Sequence, residues 1–324
     1  MAETIEDGIS LEGRISYPVR ESRLRRFFRL GHAAPYILVL PSLFIVTFVV
    51  AIPLVISLWS SFTPYNLVRP WTLYHYIGFR NYLRLFNSSD FWWAFGRTVV
   101  FLTVALNLEM LLGLGLALLV NKITAGKRAV RTIMMFPMMF SPILVGFQFK
   151  YIFNDNVGLI NNALTSLGFM HYPIAWLVNA ILAPLTILIA ETWMSTSVFA
   201  ILLLAGLLAL PSEPLEAAKV DGCNAWQAFR HITLPFLMPF IYIAMTIRSL
   251  DVARAYDMVK IMTDGGPAQR TELLWTLIAR TGYEDARMGM ANAMGYVSIL
   301  LSIAVTVYFY RKLMAARSYM GGAE

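Results

Sequence analysis

Six long apolar stretches, at about residues 34–60, 98–120, 132–153, 178–208, 236–262 and 290–310, constrain this chain more than any other feature. A hydrocarbon core about 30 Å thick is crossed by roughly 20 mainly apolar residues in a helix, and a helix satisfies its own backbone where water is absent. The 324 residues are 58% hydrophobic and only 14% charged, against about 25% charged in soluble domains. The expected fold class is an all-α integral membrane protein with six transmembrane helices. One transmembrane domain is expected over 33–315, between a tail at 1–32 and a short tail at 316–324.

Orientation follows from the basic residues. An N-terminus in the cytoplasm puts the Arg-rich tail, Lys122, Lys127, Arg128, Arg131, Lys219, Arg230, Arg311, Lys312 and Arg317 on the same inner side, as the positive-inside rule requires. Both termini are therefore expected to be cytoplasmic. The net charge of +7 is then a topology signal, with no separate nucleic-acid footprint. The tail lacks the short apolar core and cleavage site of a signal peptide and is expected to be retained. Its LRRFFRL run at 24–30 suits an amphipathic helix lying at the headgroups, or equally an ordinary basic flank.

The single cysteine, Cys223, has no partner for a disulfide, and His32, His75, His171 and His231 have no ligand spacing, so no metal site is expected. Residues 63–97 carry many aromatics and read as a collar of short helices at headgroup level on the outer side. Two further outer loops are expected at 154–176 and 262–289, the second opening on Asp264, Gly265, Gly266 and Pro267, which force a turn. In the second stretch, Gly113 and Gly115 would permit close helix contact, and Glu109 should face another helix rather than lipid.

Between the fourth and fifth stretches lies a polar interruption over 211–235 that contains EAAKVDGCNAWQAFRHITLP. Ser212 reads as an N-cap with Glu213 and Pro214 in the first turn, giving a short helix to about Val220. Asp221 and Gly222 break it. Asn224 and Gln227 have the spacing of a capping box that restarts a helix through Ala225, Phe229 and Ile232, and Pro235 launches the fifth span. Such a helix pair can pack on its own bundle, or it can dock in a groove of another protein.

Within the fifth stretch, Arg248, Asp251, Arg254 and Asp257 alternate in sign at steps of three. Charges are costly in hydrocarbon and face a bundle interior or a water-filled path. They could line a translocation route, or form an intrahelical ion-pair ladder. Glu109 and Glu191 are the other intramembrane carboxylates.

Glu216-Ala217-Ala218, then Gly222, then Ile232, Leu234 and Pro235 resemble the EAA loop of bacterial ABC importer permeases. The stretches IGFRNYLRLF at 77–86, FWWAFGRTV at 91–99, NDNVGLIN at 154–161 and RSLDVARAYDMVKIMTDGGP at 248–267 are similar to its carbohydrate branch, of the maltose and glycerol-phosphate type. The resemblance implies the type I ABC importer permease fold and no enzymatic activity in this chain. It further implies a second permease, two copies of a cytoplasmic ATPase holding ATP and Mg, an extracytoplasmic solute-binding protein, and a carbohydrate substrate. It carries a coupling role onto Glu216, Ala217, Ala218, Asp221, Gly222, Phe229, Ile232, Leu234 and Pro235, with Glu216 as the polar anchor and Gly222 as the turn. It also carries a substrate-pathway role onto Glu191, Met194, Ser195, Val198, Arg248, Asp251, Val252 and Ala255. Where maltose-type relatives have amides and aromatics, this chain has Glu191, Val198, Val252 and Ala255, which puts maltose itself in doubt. Outer Arg residues leave an acidic oligosaccharide or a phosphorylated polyol open.

No Walker A sequence, GxxxxGK[ST], is present, so ATP chemistry would belong to a partner. An ion-coupled secondary transporter is the competing reading, drawn from the intramembrane carboxylates; no inverted repeat supports it.

Overall fold

The computed structural model describes residues 34–321, with side chains described from 38 to 316, and every regular element among them is helical. The tail at 1–32, including the 24–30 helix expected there, lies outside the described residues. Two compact units divide the chain at Ile56 and Ser57. Helix α1 (Ala34–Val46) of the first passes through a π-helical turn at Thr47–Ala51 into α2 (Ile52–Ser61), whose residues from Ser57 on belong to the second. Pro53 lacks the N–H an α-helix would use there, and the wider turn just before it fits that loss.

The second unit continues with α3 (Arg80–Phe86), α4 (Ser89–Lys122), α5 (Lys127–Met135), α6 (Pro142–Ile152), α7 (Leu159–Ser166) and α8 (Leu182–Ala209). It then runs through α9 (Glu213–Val220), α10 (Ala225–Ala228), α11 (Leu234–Val252), α12 (Asp257–Met262), α13 (Leu274–Ala279) and α14 (Met288–Gly321). The last helix passes the boundary at 315 expected for its domain. Five helices among the described residues are long and apolar enough to cross a membrane: Leu38–Ser61, Ser89–Lys122, Leu182–Ala209, Ala225–Val252 and Met288–Ala316.

The stretch expected as an unbroken third span is in pieces. Helix α5, a single turn at Pro137–Met139 and α6 replace it. Ser141 is extended (φ −67°, ψ 141°), the conformation proline imposes on the residue before it. Pro137 and Pro142 thus divide a run that hydropathy alone reads as continuous. The fifth span differs too: it starts at Ala225 and ends at Val252, and α12 follows as a separate short helix. Its end falls where Asp251 and Arg254 enter, charges that an apolar core disfavours.

The collar is partly as expected. A short turn at Pro70–Tyr74 and α3 are there, but 89–97 is already the start of the second span, capped by Ser88 accepting from the Phe91 N–H at 3.4 Å. Phe62, Tyr76, Phe79 and Tyr82 pack their rings together. Buried Asn81 donates to the carbonyls of Ser61 and Thr63, both at 2.8 Å.

The main core joins α4, α8 and α11 through Leu102, Leu106, Phe199, Leu203, Leu237 and Ile241. Gly113 lies where α4 meets α8. A Cβ there would overlap the Phe199 side chain and reach the Ala200 nitrogen at 3.0 Å, whereas Gly115 has nothing within 4 Å. Only Gly113 therefore serves the close contact expected of both. Gly113→Leu should destabilise the detergent-solubilised protein by about 1–3 kcal/mol, read as a lower melting temperature, while Gly115→Leu should melt like wild type.

Candidate functional site

The polar strip folds as a helix, a turn and a second helix. Helix α9 ends at Val220, and Gly222 turns the chain with φ +77°. Only glycine, and less readily Asn or Asp, enters that region routinely. The capping box is present: the Gln227 N–H donates to Asn224 Oδ1 at 2.9 Å, and the Asn224 N–H to Gln227 Oε1 at 2.8 Å. Ser212 does not cap with its side chain. It already has helical angles (φ −79°, ψ −28°), and its carbonyl accepts from Leu215 and Glu216 instead.

The second helix does not stop before the fifth span. Helix α10 passes through a π-helical turn at Phe229–Thr233 directly into α11, which begins next to Pro235. One helical rod therefore runs from the strip to Arg248 and Asp251. Glu216, Ala217, Asp221, Gly222 and Pro235 are exposed, Phe229, Ile232 and Leu234 are half-buried, and Ala218 is buried. Val220 is 88% exposed and Trp226 65%, one on each side of the Gly222 turn in the chain. Trp226 stacks on Phe229 at 5.6 Å. Both are large apolar side chains exposed on a polar element. Neither was among the residues expected to act; their signal is that they are the bulky apolar members of an otherwise polar strip.

The second site is a charged centre where α4, α8 and α11 meet. Arg248 Nε donates to Glu109 Oε2 at 3.1 Å, and Nη2 to Glu191 Oε1 and Ser195 Oγ, both at 2.7 Å. Its Nη1 reaches Asp251 Oδ2 at 3.3 Å, and Arg254 Nη2 reaches Asp251 Oδ1 at 3.2 Å. Glu109 is fully buried and does face other helices, as its sequence position implied. The ladder along α11 exists, but its first member is tied to two neighbouring helices, and Asp257 is not part of it.

Above this centre opens a cavity of about 560 Å³ lined by Glu191, Met194, Arg248, Asp251, Ala255 and, from beyond the helix end, Tyr256, Asp257 and Trp275. Five of the expected pathway residues thus share one wall. Ser195 braces Arg248 from behind, Val252 is buried, and Val198 is half-buried without lining the cavity. Among the described residues no cluster of His, Cys, Asp and Glu is arranged to hold a metal.

Outside the membrane-crossing helices, Glu272 is buried beside Arg280 at 3.2 Å. Desolvation raises its carboxyl above the usual range, with the Arg280 and Arg97 charges opposing. Arg97 of α4 donates to the Gln269 carbonyl at 2.5 Å, so the 263–272 loop is fastened to the second span.

The described residues thus combine membrane-crossing helices, an exposed polar helix pair continuous with one of them and a charged cavity near that helix's other end. Residues 109–317 match the family of binding-protein-dependent transport system inner membrane components, and the chain belongs to it. It is 32% identical over 279 residues to the trehalose/maltose transport system permease protein MalF of Thermococcus litoralis, covering 85% of this chain and 92% of that one. It is 29% identical over 290 residues to the sulfoquinovosyl glycerol transport system permease protein SmoG of Agrobacterium fabrum, covering 89% and 93%. In fold it matches a chain of a bacterial ABC transporter involved in the import of the acidic polysaccharide alginate, with a TM-score of 0.77, 22% identity and coverage of 91% and 99%. The protein is an inner-membrane ABC permease with the type I fold, and ATP hydrolysis falls to partner ATPases.

Proposed function

We propose that this chain is one of two permease subunits of an ATP-driven carbohydrate importer that works by alternating access. The observation that carries the proposal is the exposed helix pair around Gly222, continuous through α10 and α11 with the wall of the charged cavity. In this reading both termini are cytoplasmic, the pieces at 127–152 complete a sixth span, and the 211–235 strip faces the cytoplasm. Two ATPases bind ATP and Mg and grip the strip. A solute-binding protein docks on the outer segments at 63–97 and 262–289. Closure of the ATPases moves the strip, and α11 carries that motion to the cavity.

A carbohydrate is supported by the relatives named for trehalose, maltose and sulfoquinovosyl glycerol. Ion coupling has less support, because Glu109 and Glu191 are both engaged by Arg248 rather than free to load and release a cation. In proteoliposomes holding this chain with its partner permease and ATPases, the solute retained by its binding protein should enter only with ATP present. Uptake driven by a proton or sodium gradient in the absence of ATP would overturn the reading.

A further inference from the structure

We propose that the cavity selects uncharged, hydroxyl-rich saccharides over acidic ones, and that Asp257 sets this preference. The inference rests on the cavity belonging to the solute route proposed above. Its lining includes Glu191, Asp251 and Asp257 against Arg248 and Arg254, so the ionised wall carries an excess of negative charge.

The buried cation of the wall is already engaged. Of the five N–H donors of a guanidinium, Arg248 directs Nε to Glu109, Nη2 to Glu191 and Ser195, and Nη1 to Asp251. At most one N–H on Nη1 is unclaimed. The two-pronged grip that makes arginine a strong carboxylate binder is therefore closed to a substrate at Arg248. Arg254 gives Nε to the Leu250 carbonyl and one Nη2 N–H to Asp251; it keeps three N–H groups on a side chain that is more than half exposed, and Asp251 opposes its charge.

What remains for a solute suits hydroxyl groups. Asp257 is half-buried and forms no salt bridge with a described residue, which leaves its carboxylate to accept from sugar hydroxyls. Tyr256 and Trp275 also line the cavity, and aromatic side chains pack against the apolar side of a sugar ring. A carboxylate in the cavity would face the unpaired charge of Asp257, and the Arg248 fork is closed to it. Fold likeness to an alginate importer thus does not bring its acidic substrate with it.

The test titrates the purified assembly of this chain with its partner permease and ATPases, without the binding protein, following tryptophan fluorescence. The probes are maltotriose and trigalacturonate. Maltotriose should bind at least about tenfold more tightly, Asp257→Asn should narrow the gap to within about threefold, and Asp257→Lys should reverse it. Melting temperatures would confirm that both variants are folded. Equal or tighter binding of trigalacturonate by wild type, or a gap unmoved by either substitution, would overturn the selectivity and leave the route standing. Failure of both sugars to bind would overturn the selectivity and the route together.

Discussion

Arg248→Met is expected to cost about 3–5 kcal/mol of stability, because it leaves Glu109 and Glu191 as buried carboxylates without their partner. The magnitudes separate two views of the charges on α11. The Arg254–Asp251 pair is about half exposed on both sides, and exposed pairs contribute roughly 0–1 kcal/mol. If Arg248 belonged only to that ladder, its removal would be nearly silent. Its contacts at 3.1 Å to α4 and 2.7 Å to α8 place it in the other regime. The single variant should therefore melt well below wild type in detergent and accumulate poorly in membranes. Glu109→Gln and Glu191→Gln added to Arg248→Met should recover most of the melting temperature, since no uncompensated buried charge then remains. A single variant that melts like wild type would refute the three-helix tie.

The second large effect is expected at the polar strip. A charge-assisted hydrogen bond contributes about 1.5–3 kcal/mol, so Glu216→Ala should weaken retention of the ATPase by at least about tenfold. Gly222 separates backbone from bulk. Nothing lies within 4 Å of a Cβ built there, so crowding inside this chain is no obstacle, but φ +77° costs an ordinary L-residue about 1–2 kcal/mol. Asn tolerates that region and Val does not. Gly222→Asn should keep most solute-stimulated ATP hydrolysis, and Gly222→Val should lose it while the permease stays inserted. Equal activity of both variants would mean that the turn does not set the geometry of docking.

The strip was legible in the sequence because its determinants are local. Gly222 as a turn, Asn224 with Gln227 as a cap and the end of α9 at Val220 each depend on neighbours a few residues away. Ser212 does hold the N-cap position before Glu213, but its helical angles keep its side chain from making the cap bond. The third stretch misled because its average hydropathy is high enough to hide Pro137 and Pro142. The charged centre was half legible. Intramembrane cost says that Glu109 and Arg248 must face inward, but they lie 139 residues apart, and helical periodicity does not say which inward faces meet. Trp275 and Tyr256 were invisible as cavity residues for the same reason, since they come from beyond the end of α11. Continuity of α10 with α11 was obscured because Pro235 reads as a start, while a π-helical turn lets the helix run through it.

The central claim is that the strip faces the cytoplasm and is covered by the ATPase. Cys223 is the single cysteine of the chain, exposed and adjacent to Gly222, so it reports on that surface without any substitution. A membrane-impermeant maleimide should label Cys223 rapidly in inside-out vesicles stripped of ATPase and hardly at all in right-side-out vesicles. Adding back ATPase rendered cysteine-free should protect Cys223, with the Glu216→Ala permease protected far less. Labelling confined to right-side-out vesicles, or labelling in inside-out vesicles unchanged by the bound ATPase, would contradict the claim.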